Sequence, residues 1–389
     1  MYIDEKTHNS TLKRSILEEK DLLICIAGTL GRSAIITKDQ LPANTNQAVC
    51  FIRFIKKEDV LVKFAQLIIS SSLVQESLIK QTKAVAIPNL TLEIIGNCII
   101  PIPPLSEQIR IVDKIEKLFD AVEIINTKYN TIKELQEKLK AKIIDLAIKG
   151  KLTQQLSTDE PSSKLIEKIV DKKHKLMKEG KIKKENLSVI YKDADNQFYE
   201  KFDDGKSINI TNSIPFKLPE NWRWTRLNAL LSVKGGKRIP KGSSFSKNIT
   251  KHIYIRVSDM KNNTITKQDI KYISDDVFEK IKNYTISKKD LYLTIAGTIG
   301  KVGIVPDFFD NMNLTENAVK LTNIEPIEKK YLMYCINSDF VQSQFTDKTT
   351  QVAQPKLAIK RIETTLIPLP PLEEQKRMVF QLQQLLNIL

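Results

Sequence analysis

The sequence predicts an α+β protein made of two similar globules, each followed by an amphipathic helix. Three observations predict this fold class. A set of short motifs occurs twice in the same order, apolar residues recur at near-heptad spacing after each set, and β-branched segments alternate with turn-forming glycines and prolines. A length of 389 residues suits two or three domains.

The first globule is predicted within residues 1–104 and a long helix within residues 105–150. No proline interrupts this second stretch, and Gly150 is a suitable stop. At about 1.5 Å per residue, a helix of roughly 44 residues is about 65 Å long. Its apolar positions step by threes and fours: Ile111, Ile115, Leu118, Val122, Ile125, Tyr129, Ile132, Leu135, Leu139, Ile143 and Leu146. Because a single rod cannot bury this stripe, the pattern predicts a partner helix.

A connector is predicted at residues 151–214. Residues 161–180 have apolar residues at helical spacing and a lysine-rich opposite face, which predicts a short amphipathic helix. Residues 193–212 are polar and show no periodicity, so we expect a flexible loop there.

The second globule is predicted at residues 215–371, followed by a shorter helix at residues 372–389. Residues 252–257 alternate as a strand, and residues 290–304 predict two strands joined by a tight Gly-Thr-Ile-Gly turn. Residues 329–345 have helical spacing. Trp222 and Trp224 are interpreted as core anchors rather than base-stacking groups.

The second globule repeats motifs of the first. The sequence AGTLG, with Gly28, returns as AGTIG, with Gly297 in the same place. TNQAV at positions 45–49 returns as TENAV at positions 315–319, and PIPPL at positions 101–105 returns as PLPPL at positions 368–372. These ordered matches indicate a duplication. The first copy lacks a counterpart to roughly residues 215–270, and the second helix is short, so we expect a chain truncated at both ends relative to a symmetric parent.

The composition favours a polyanionic partner. Hydrophobic residues make up 41% of the chain and charged residues 28%, with a net charge of +15. This charge predicts nucleic-acid binding, and a generally lysine-rich protein is the alternative interpretation. Cys25, Cys50, Cys98 and Cys335 are scattered, so neither disulfides nor a zinc site is expected. No apolar run is long enough to span a membrane, and residues 1–5 are not a signal peptide, so we expect a cytoplasmic protein.

No catalytic constellation is found in the sequence. It has no Asn-Pro-Pro-Tyr methyltransferase motif, no glycine-rich S-adenosylmethionine loop and no phosphate-binding loop of the G-x-x-x-x-G-K-[ST] type. Pro306-Asp307 has no nearby Glu-x-Lys to complete a nuclease motif, and His8, His174 and His252 are isolated. A binding role is therefore favoured over an enzyme, with no metal site.

Candidate DNA ligands are polar or cationic residues in predicted loops. A glycine- and serine-rich loop suits phosphate contact, because cations neutralise charge and small residues let backbone N–H groups approach. Its candidates are Lys234, Lys237, Arg238, Lys241, Ser243 and Ser244. The other candidates in the second globule are Arg256, Ser258, Thr298, Lys301, Asn317, Gln354, Lys356 and Lys360, and those in the first globule are Thr29, Arg32, Asn46, Gln47 and Asn89.

Two alternatives stay open at these positions. The lysine-rich loop could be an ordinary solvated loop. Arg256 and Ser258 could reach base edges, since arginine pairs bidentately with guanine, but Arg256 could equally be a structural arginine. If Arg256 reads a base, Arg256→Ala relaxes discrimination at one base pair by roughly 1–3 kcal/mol. Asn89 occupies the place of Lys356 in the repeat, which predicts that the two globules read different sequences.

The motifs LPENWRWTRL, YIRVSDM, AGTIG and PLPPLxEQ, with the duplication and the long helix, resemble the specificity subunit of type I restriction–modification systems. The resemblance covers essentially the whole chain. It implies two target-recognition domains, each reading half of a bipartite double-stranded DNA site. It also implies two spacer helices in an antiparallel coiled coil, which hold the domains apart and dock methyltransferase subunits.

The resemblance further implies that the chain is not an enzyme. Modification subunits and restriction or translocase subunits would be the partners, and they would use S-adenosylmethionine, ATP and magnesium. Two other hypotheses remain. A truncated chain could be a half-subunit or scaffold that pairs with another copy of itself, or the protein could bind nucleic acid, including single strands or RNA, without sequence preference.

Overall fold

The computed structural model describes residues 3–55, 58–82, 89–346 and 356–389. The chain divides into two compact units, Met1–Ile132 and Lys133–Leu389. Both contain helices and antiparallel strands, which confirms the predicted α+β class.

The first unit is a three-stranded antiparallel sheet, in the order β2-β1-β3, covered by helices. Leu22 and Ile24 on the central strand pack against Ala65 and Ile69. The strands are β1 (Leu22–Cys25), β2 (Ser33–Ile35) and β3 (Val49–Ile52). The helices are α1 (Glu5–Asn9), α2 (Asp59–Ser70), α3 (Ser72–Thr82) and α4 (Leu92–Gly96), and helix α5 (Leu105–Ile148) begins in the first unit and ends in the second.

Helix α5 confirms the predicted long helix. It begins after the PIPPL prolines and ends just before Gly150, which has the positive φ of +67° typical of a helix stop. Most residues of the predicted apolar stripe are exposed. At the two ends of the exposed stretch, Leu118 is 54% exposed and Leu139 is 47% exposed.

The second unit contains a connector and a larger globule. Its helices are α6 (Ser162–Lys178), α7 (Leu227–Leu230), α8 (Asp275–Ile281), α9 (Lys329–Asn337), α10 (Asp339–Phe345), α11 (Ile359–Glu363) and α12 (Leu372–Ile388). Its strands are β4 (Ser188–Lys192), β5 (Phe198–Phe202), β6 (Ser207–Asn209), β7 (Arg223–Arg226), β8 (Leu231–Gly235), β9 (His252–Ile255), β10 (Met260–Lys261), β11 (Thr264–Ile265), β12 (Tyr272–Ile273), β13 (Thr285–Ile286), β14 (Leu291–Thr294), β15 (Val302–Ile304), β16 (Met312–Leu314), β17 (Ala318–Asn323) and β18 (Leu366–Leu369).

Two four-stranded sheets form the second globule. One is antiparallel, in the order β15-β14-β17-β8, and the other has the order β12-β9-β16-β13 with β16 parallel to β9. The predicted strands at residues 252–257 and 290–304 and the helices of residues 161–180 and 329–345 are confirmed. Trp222 and Trp224 are each 2% exposed, which confirms them as core anchors.

The connector differs from its prediction. Residues 193–212, expected as a flexible loop, contribute β5 and β6 to an antiparallel sheet in the order β4-β5-β6. The buried face of β5 carries Glu200, which accepts hydrogen bonds from Ser188 and from Arg226. Because a carboxylate occupies the buried position, the alternation of polar and apolar residues that marks a strand is hidden in the sequence.

Helix α12 runs antiparallel to the C-terminal end of α5. Gln136 Nε2 donates to the carbonyl oxygen of Leu389 (2.9 Å), while Thr153 Oγ1, beyond the C-terminal end of α5, donates to Glu374 Oε1 (2.8 Å). Ile148 of α5 and Leu382 of α12 belong to one buried cluster. Within the second unit, this packing confirms the predicted antiparallel pairing of helices.

Candidate nucleic-acid interface

The turn between β14 and β15 fixes one edge of the candidate site. Thr294 Oγ1 accepts the backbone N–H of Lys301 (3.0 Å), and Gln342 Nε2 donates to the carbonyl oxygen of Gly300 (2.9 Å). Gly300 has a φ of +86°, and a Cβ there would collide with Gln342, so glycine is required. The side chains of Thr298 and Lys301 are exposed at this rigid turn.

Three other segments lie beside this turn. The carbonyl oxygen of Asn317 accepts the N–H groups of Ile295 (2.8 Å) and Ala296 (3.2 Å). The N–H of Leu357 donates to the carbonyl oxygen of Ile295, and the N–H of Thr315 donates to that of Ile255. Backbone hydrogen bonds therefore bring together the predicted ligands Thr298, Asn317 and Lys356 with the end of β9.

The lysine-rich loop after β8 packs against the same group of segments, which we call the corner of the second unit. The N–H of Lys237 donates to the carbonyl oxygen of Leu314 (2.9 Å). A Cβ on Gly236 would overlap the carbonyl oxygens of Leu314 and Thr315, so only glycine permits this close approach. Further along the loop, the Phe245 ring lies 5.7 Å from that of Tyr254. Lys234, predicted in this loop, lies instead in strand β8 and is exposed. In the loop itself, Lys237, Arg238, Lys241 and Ser244 are exposed and Ser243 is half-buried.

Glu316 lies among the cations of this corner. Its carboxylate accepts from Arg238 Nε (2.6 Å) and from the Tyr254 hydroxyl (3.2 Å), and its carbonyl oxygen accepts from Lys356 Nζ (3.4 Å). Partial burial opposes ionisation of Glu316, but the hydrogen bonds from Arg238, from its own backbone N–H and from Thr315, together with the charge of Arg238, outweigh burial and lower the pKa of Glu316. Burial raises the pKa of Tyr254 to about 12, so this phenol remains a hydrogen-bond donor.

The cations of the loop therefore differ in how readily they can pair with a DNA phosphate. The charge of Arg238 is balanced by Glu316. Lys237 Nζ instead lies 5.6 Å from the centre of the Tyr284 ring, and neither Lys237 nor Lys241 has an ion-pair partner among the described residues. We expect a phosphate to be attracted more strongly to these two lysines than to the paired arginine.

Arg256 is held within the protein. It precedes a short 3₁₀ turn, and its Nη2 donates to Asp259 Oδ1 (2.7 Å) and to the carbonyl oxygen of Asp269 (2.7 Å). The hydrogen bond to Asp259 raises the pKa of Arg256. This geometry favours the structural interpretation. The neighbouring Ser258 is exposed and stays a candidate for base contact, while Lys360 is exposed on α11, 3.9 Å from Glu363 Oε2.

The first unit has the same arrangement in smaller form. The N–H of Ile26 donates to the carbonyl oxygen of Ala48, and the N–H of Leu90 donates to that of Ile26. The exposed or half-buried side chains around this corner include those of Thr29, Arg32, Asn46, Gln47 and Asn89. The two copies therefore use equivalent loops. Of the predicted ligands, Gln354 alone lies outside the described residues.

The structure corrects the alignment of the two corners by one position. Cys25 of β1 pairs with Val49 of β3, and the equivalent Thr294 of β14 pairs with Ala318 of β17. Val49 is therefore the counterpart of Ala318. The match of TNQAV with TENAV, which equates Val49 with Val319, is wrong by one residue here.

The corrected alignment pairs Gln47 with Glu316 and Asn46 with Thr315. The side chains of Asn46 and Thr315 make the same contact, because each accepts the backbone N–H of the residue two positions further along the chain. The carboxylate of the second corner is thus replaced by a neutral amide in the first.

Sequence reasoning missed Glu316, Tyr254 and Tyr284. Glu316 carried a signal, since a lone carboxylate stands inside a repeated motif beside predicted cation sites. No cluster of three or more His, Cys, Asp or Glu side chains in the described part of the chain could hold a metal ion. Within the same residues, every helix is too short or too polar to cross a bilayer.

Comparison with known proteins gives consistent matches. The family described as "Type I restriction modification DNA specificity domain" matches residues 6–134 and 219–389. The Escherichia coli EcoAI specificity subunit is 24% identical over 348 residues, covering 88% of this chain and 54% of its own length. The Escherichia coli EcoBI specificity subunit is 22% identical over 354 residues, covering 88% and 62%. The chain thus spans less than two thirds of these relatives.

One solved structure supports the fold. A chain from a study of complex assembly and conformational transition of the type I R-M system superposes with a TM-score of 0.59 at 17% identity. The match covers 96% of this chain and 75% of that chain.

Proposed function

The chain belongs to the type I restriction–modification DNA specificity family, and from this premise we propose that it is a sequence-specific subunit that binds double-stranded DNA. It would direct a separate methyltransferase, and with it a translocating nuclease, to a bipartite site. The observation that carries the proposal is the gathering of polar and cationic side chains from four separate loops at one corner of the second unit, repeated in the first.

The proposed mechanism is positioning. Lys237 and Lys241 would bind phosphates and fix the register, while polar side chains such as Ser258, Thr298 and Asn317 would contact base edges in the major groove. The side chains at the corner differ between copies, with Gln47 in place of Glu316 and Asn89 in place of Lys356, which supports different half-site sequences. The length of α5 is consistent with a spacer between half-sites.

The partners and cofactors follow from the same proposal. Modification subunits would bind S-adenosylmethionine, restriction subunits would bind ATP and magnesium, and this chain would work without a cofactor of its own in the cytoplasm. Such a division of labour suits a surface made of positioned hydrogen-bond donors and cations.

Selection from a randomised duplex pool tests the proposal. The protein, with its modification subunits, should enrich a fixed sequence, and the selected duplex should bind at least about a thousandfold more tightly than a scrambled one. Equal affinities for both duplexes, or equal affinity for single strands, would instead support a general nucleic-acid binder.

A second candidate is a half-subunit that pairs with another copy. The exposed apolar row on α5, which includes Val122, Ile125 and Tyr129, favours it, because such a row is normally covered in a coiled coil. Sedimentation of the protein alone measures this. A dimer that Ile125→Lys converts to monomer would support the candidate, and a wild-type monomer at micromolar concentration would contradict it.

A further inference from the structure

Arg238 is an exposed residue whose two chain neighbours are anchored. The N–H of Lys237 donates to the carbonyl oxygen of Leu314 (2.9 Å). On the other side, Ile239 packs against the buried cluster that includes Tyr254. The side chain of Arg238 itself is 78% exposed. The anchored backbone therefore fixes the point at which this side chain leaves the protein surface.

Glu316 holds the guanidinium of Arg238 through a single nitrogen. Its Oε1 accepts from Arg238 Nε (2.6 Å), and its Oε2 accepts from Thr315 Oγ1 (3.1 Å) and from the Tyr254 hydroxyl (3.2 Å). Donors on both oxygens fix the orientation of the carboxylate, and its lowered pKa keeps it charged at neutral pH. The side chain of Glu316 is only 23% exposed, so it supports Arg238 from behind.

The remaining N–H groups of Arg238 form a fork. Among the described residues, neither Nη1 nor Nη2 of Arg238 has a hydrogen-bond partner. A guanidinium is planar and its N–H groups are rigidly placed, so a carboxylate bound at Nε also limits the direction in which the two Nη atoms point. Two parallel donors of this kind match two neighbouring acceptors on a ligand.

Guanine is the base that this fork fits. In the major groove it presents O6 and N7 as neighbouring acceptors, whereas adenine and thymine each present one acceptor and cytosine presents a donor. A phosphate could also accept two hydrogen bonds, but Glu316 repels its charge and partly cancels the attraction to Arg238. The edge of a guanine carries no net charge and avoids this repulsion. The ion pair therefore favours base contact over phosphate contact.

We propose that Arg238 reads a guanine in the half-site bound by the second unit, with Nη1 and Nη2 donating to O6 and N7, and that Glu316 is its positioning residue. The inference rests on the proposed DNA-binding function and extends it to one named base. In the first unit, Gln47 stands at the position of Glu316, so the charged support is found in the second corner and not in the first.

Binding to modified duplexes tests the inference. The duplex is the one selected from the randomised pool, and the protein is used with its modification subunits. Each guanine is replaced in turn by 7-deazaguanine, which lacks the N7 acceptor but keeps Watson–Crick pairing. At one position we expect the wild type to lose at least about fivefold in affinity. Arg238→Ala should lose nothing further at that position, because its contact is already absent.

Matched variants separate reading of the base from folding. Arg238→Lys should also lose the guanine preference, because lysine lacks the planar fork. Glu316→Gln should reduce the preference at least about threefold, since the hydrogen bond to Arg238 is no longer between two charges. Its affinity for a scrambled duplex should not fall, because the charge of Arg238 is no longer balanced, whereas a merely structural Glu316 would weaken binding to both duplexes.

Lys282→Ala is the control variant. Lys282 is an exposed cation paired with a carboxylate, that of Glu279, in the same unit. This variant should keep the full guanine preference. Circular dichroism checks that each variant is folded.

Three results would overturn the inference. The first is an equal loss of affinity for selected and scrambled duplexes in Arg238→Ala, with a salt slope reduced by about one, which would make Arg238 a phosphate ligand. The second is a 7-deazaguanine effect that Arg238→Ala retains in full at every position. The third is a selected sequence without guanine. In all three cases the wild type still prefers its selected duplex and the proposed function stands, whereas selection of no sequence would overturn that function and this inference together.

Discussion

Lys237 and Arg238 are neighbours in the sequence and both are exposed, yet their charges face different surroundings. Arg238 is paired with Glu316 at 2.6 Å, while Lys237 lies over the Tyr284 ring. A phosphate that approaches Arg238 must compete with a carboxylate, and one that approaches Lys237 does not. The sequence predicted both as phosphate ligands, and it could not rank them because Glu316 lies far from both along the chain.

We therefore expect Lys237→Ala to weaken binding of all duplexes by about the same factor and to reduce the salt slope by about one, as loss of one phosphate contact does. Fluorescence anisotropy on cognate and scrambled duplexes at several salt concentrations measures both quantities. Lys282→Ala, which removes an exposed lysine paired with Glu279, is the control. A loss confined to the cognate duplex would show that Lys237 reads sequence.

Arg256 leads to a prediction about stability. Its side chain is 24% exposed and that of Asp259 only 7%, so Arg256→Ala leaves a buried carboxylate without its cation. We expect a loss of about 2–3 kcal/mol in the free energy of unfolding, measured by urea denaturation. Arg256→Lys should recover only part of this loss, because lysine lacks the planar fork. If stability is unchanged and discrimination at one base pair falls, Arg256 is a base reader after all.

At the scale of elements, periodicity predicted the parts whose buried faces are apolar. Helix α6, the strands β14 and β15 and the long helix α5 were found where apolar spacing placed them. Strand β5 was missed because Glu200 occupies its buried face, and a buried carboxylate is indistinguishable in sequence from an exposed one. The alignment of the two corners was wrong by one position because sequence identity favoured one match and strand pairing requires another.

The connector sheet gives a prediction about pH. Burial opposes ionisation of Glu200, but hydrogen bonds from Arg226 and Ser188 prevail and lower its pKa below the usual 4.5. The ionised carboxylate therefore stabilises the fold at neutral pH, and this contribution is lost as the pH falls below 4.5 through the lowered value. Glu200→Gln should cost about 2 kcal/mol at neutral pH.

Urea denaturation of the wild type and of Glu200→Gln over a series of pH values measures this linkage. The difference between the two proteins should shrink on acidification, because protonated Glu200 and glutamine are both neutral. The exposed Glu220→Gln variant is the control and should show little difference at any pH. A difference that grows on acidification would contradict the assignment.

At the scale of the whole molecule, the net charge of +15 attracts any polyanion, so affinity alone does not identify an interface. What distinguishes a localised interface is which lysines determine the salt dependence. Those gathered at the corner of the second unit, Lys237 and Lys241 among them, belong to loops that backbone hydrogen bonds hold in place. Lys175 and Lys178 are also exposed, but they lie on α6 in the connector.

If about six phosphates are neutralised, the logarithm of the binding constant should fall with the logarithm of salt concentration with a slope near −5. The double variant Lys237→Ala/Lys241→Ala should flatten this slope by about two, since each phosphate contact releases close to one counterion. The matched double variant Lys175→Ala/Lys178→Ala should leave the slope unchanged. Equal flattening by both pairs would mean that binding is spread over the basic surface, and a wild-type slope near zero would exclude direct DNA binding by this chain.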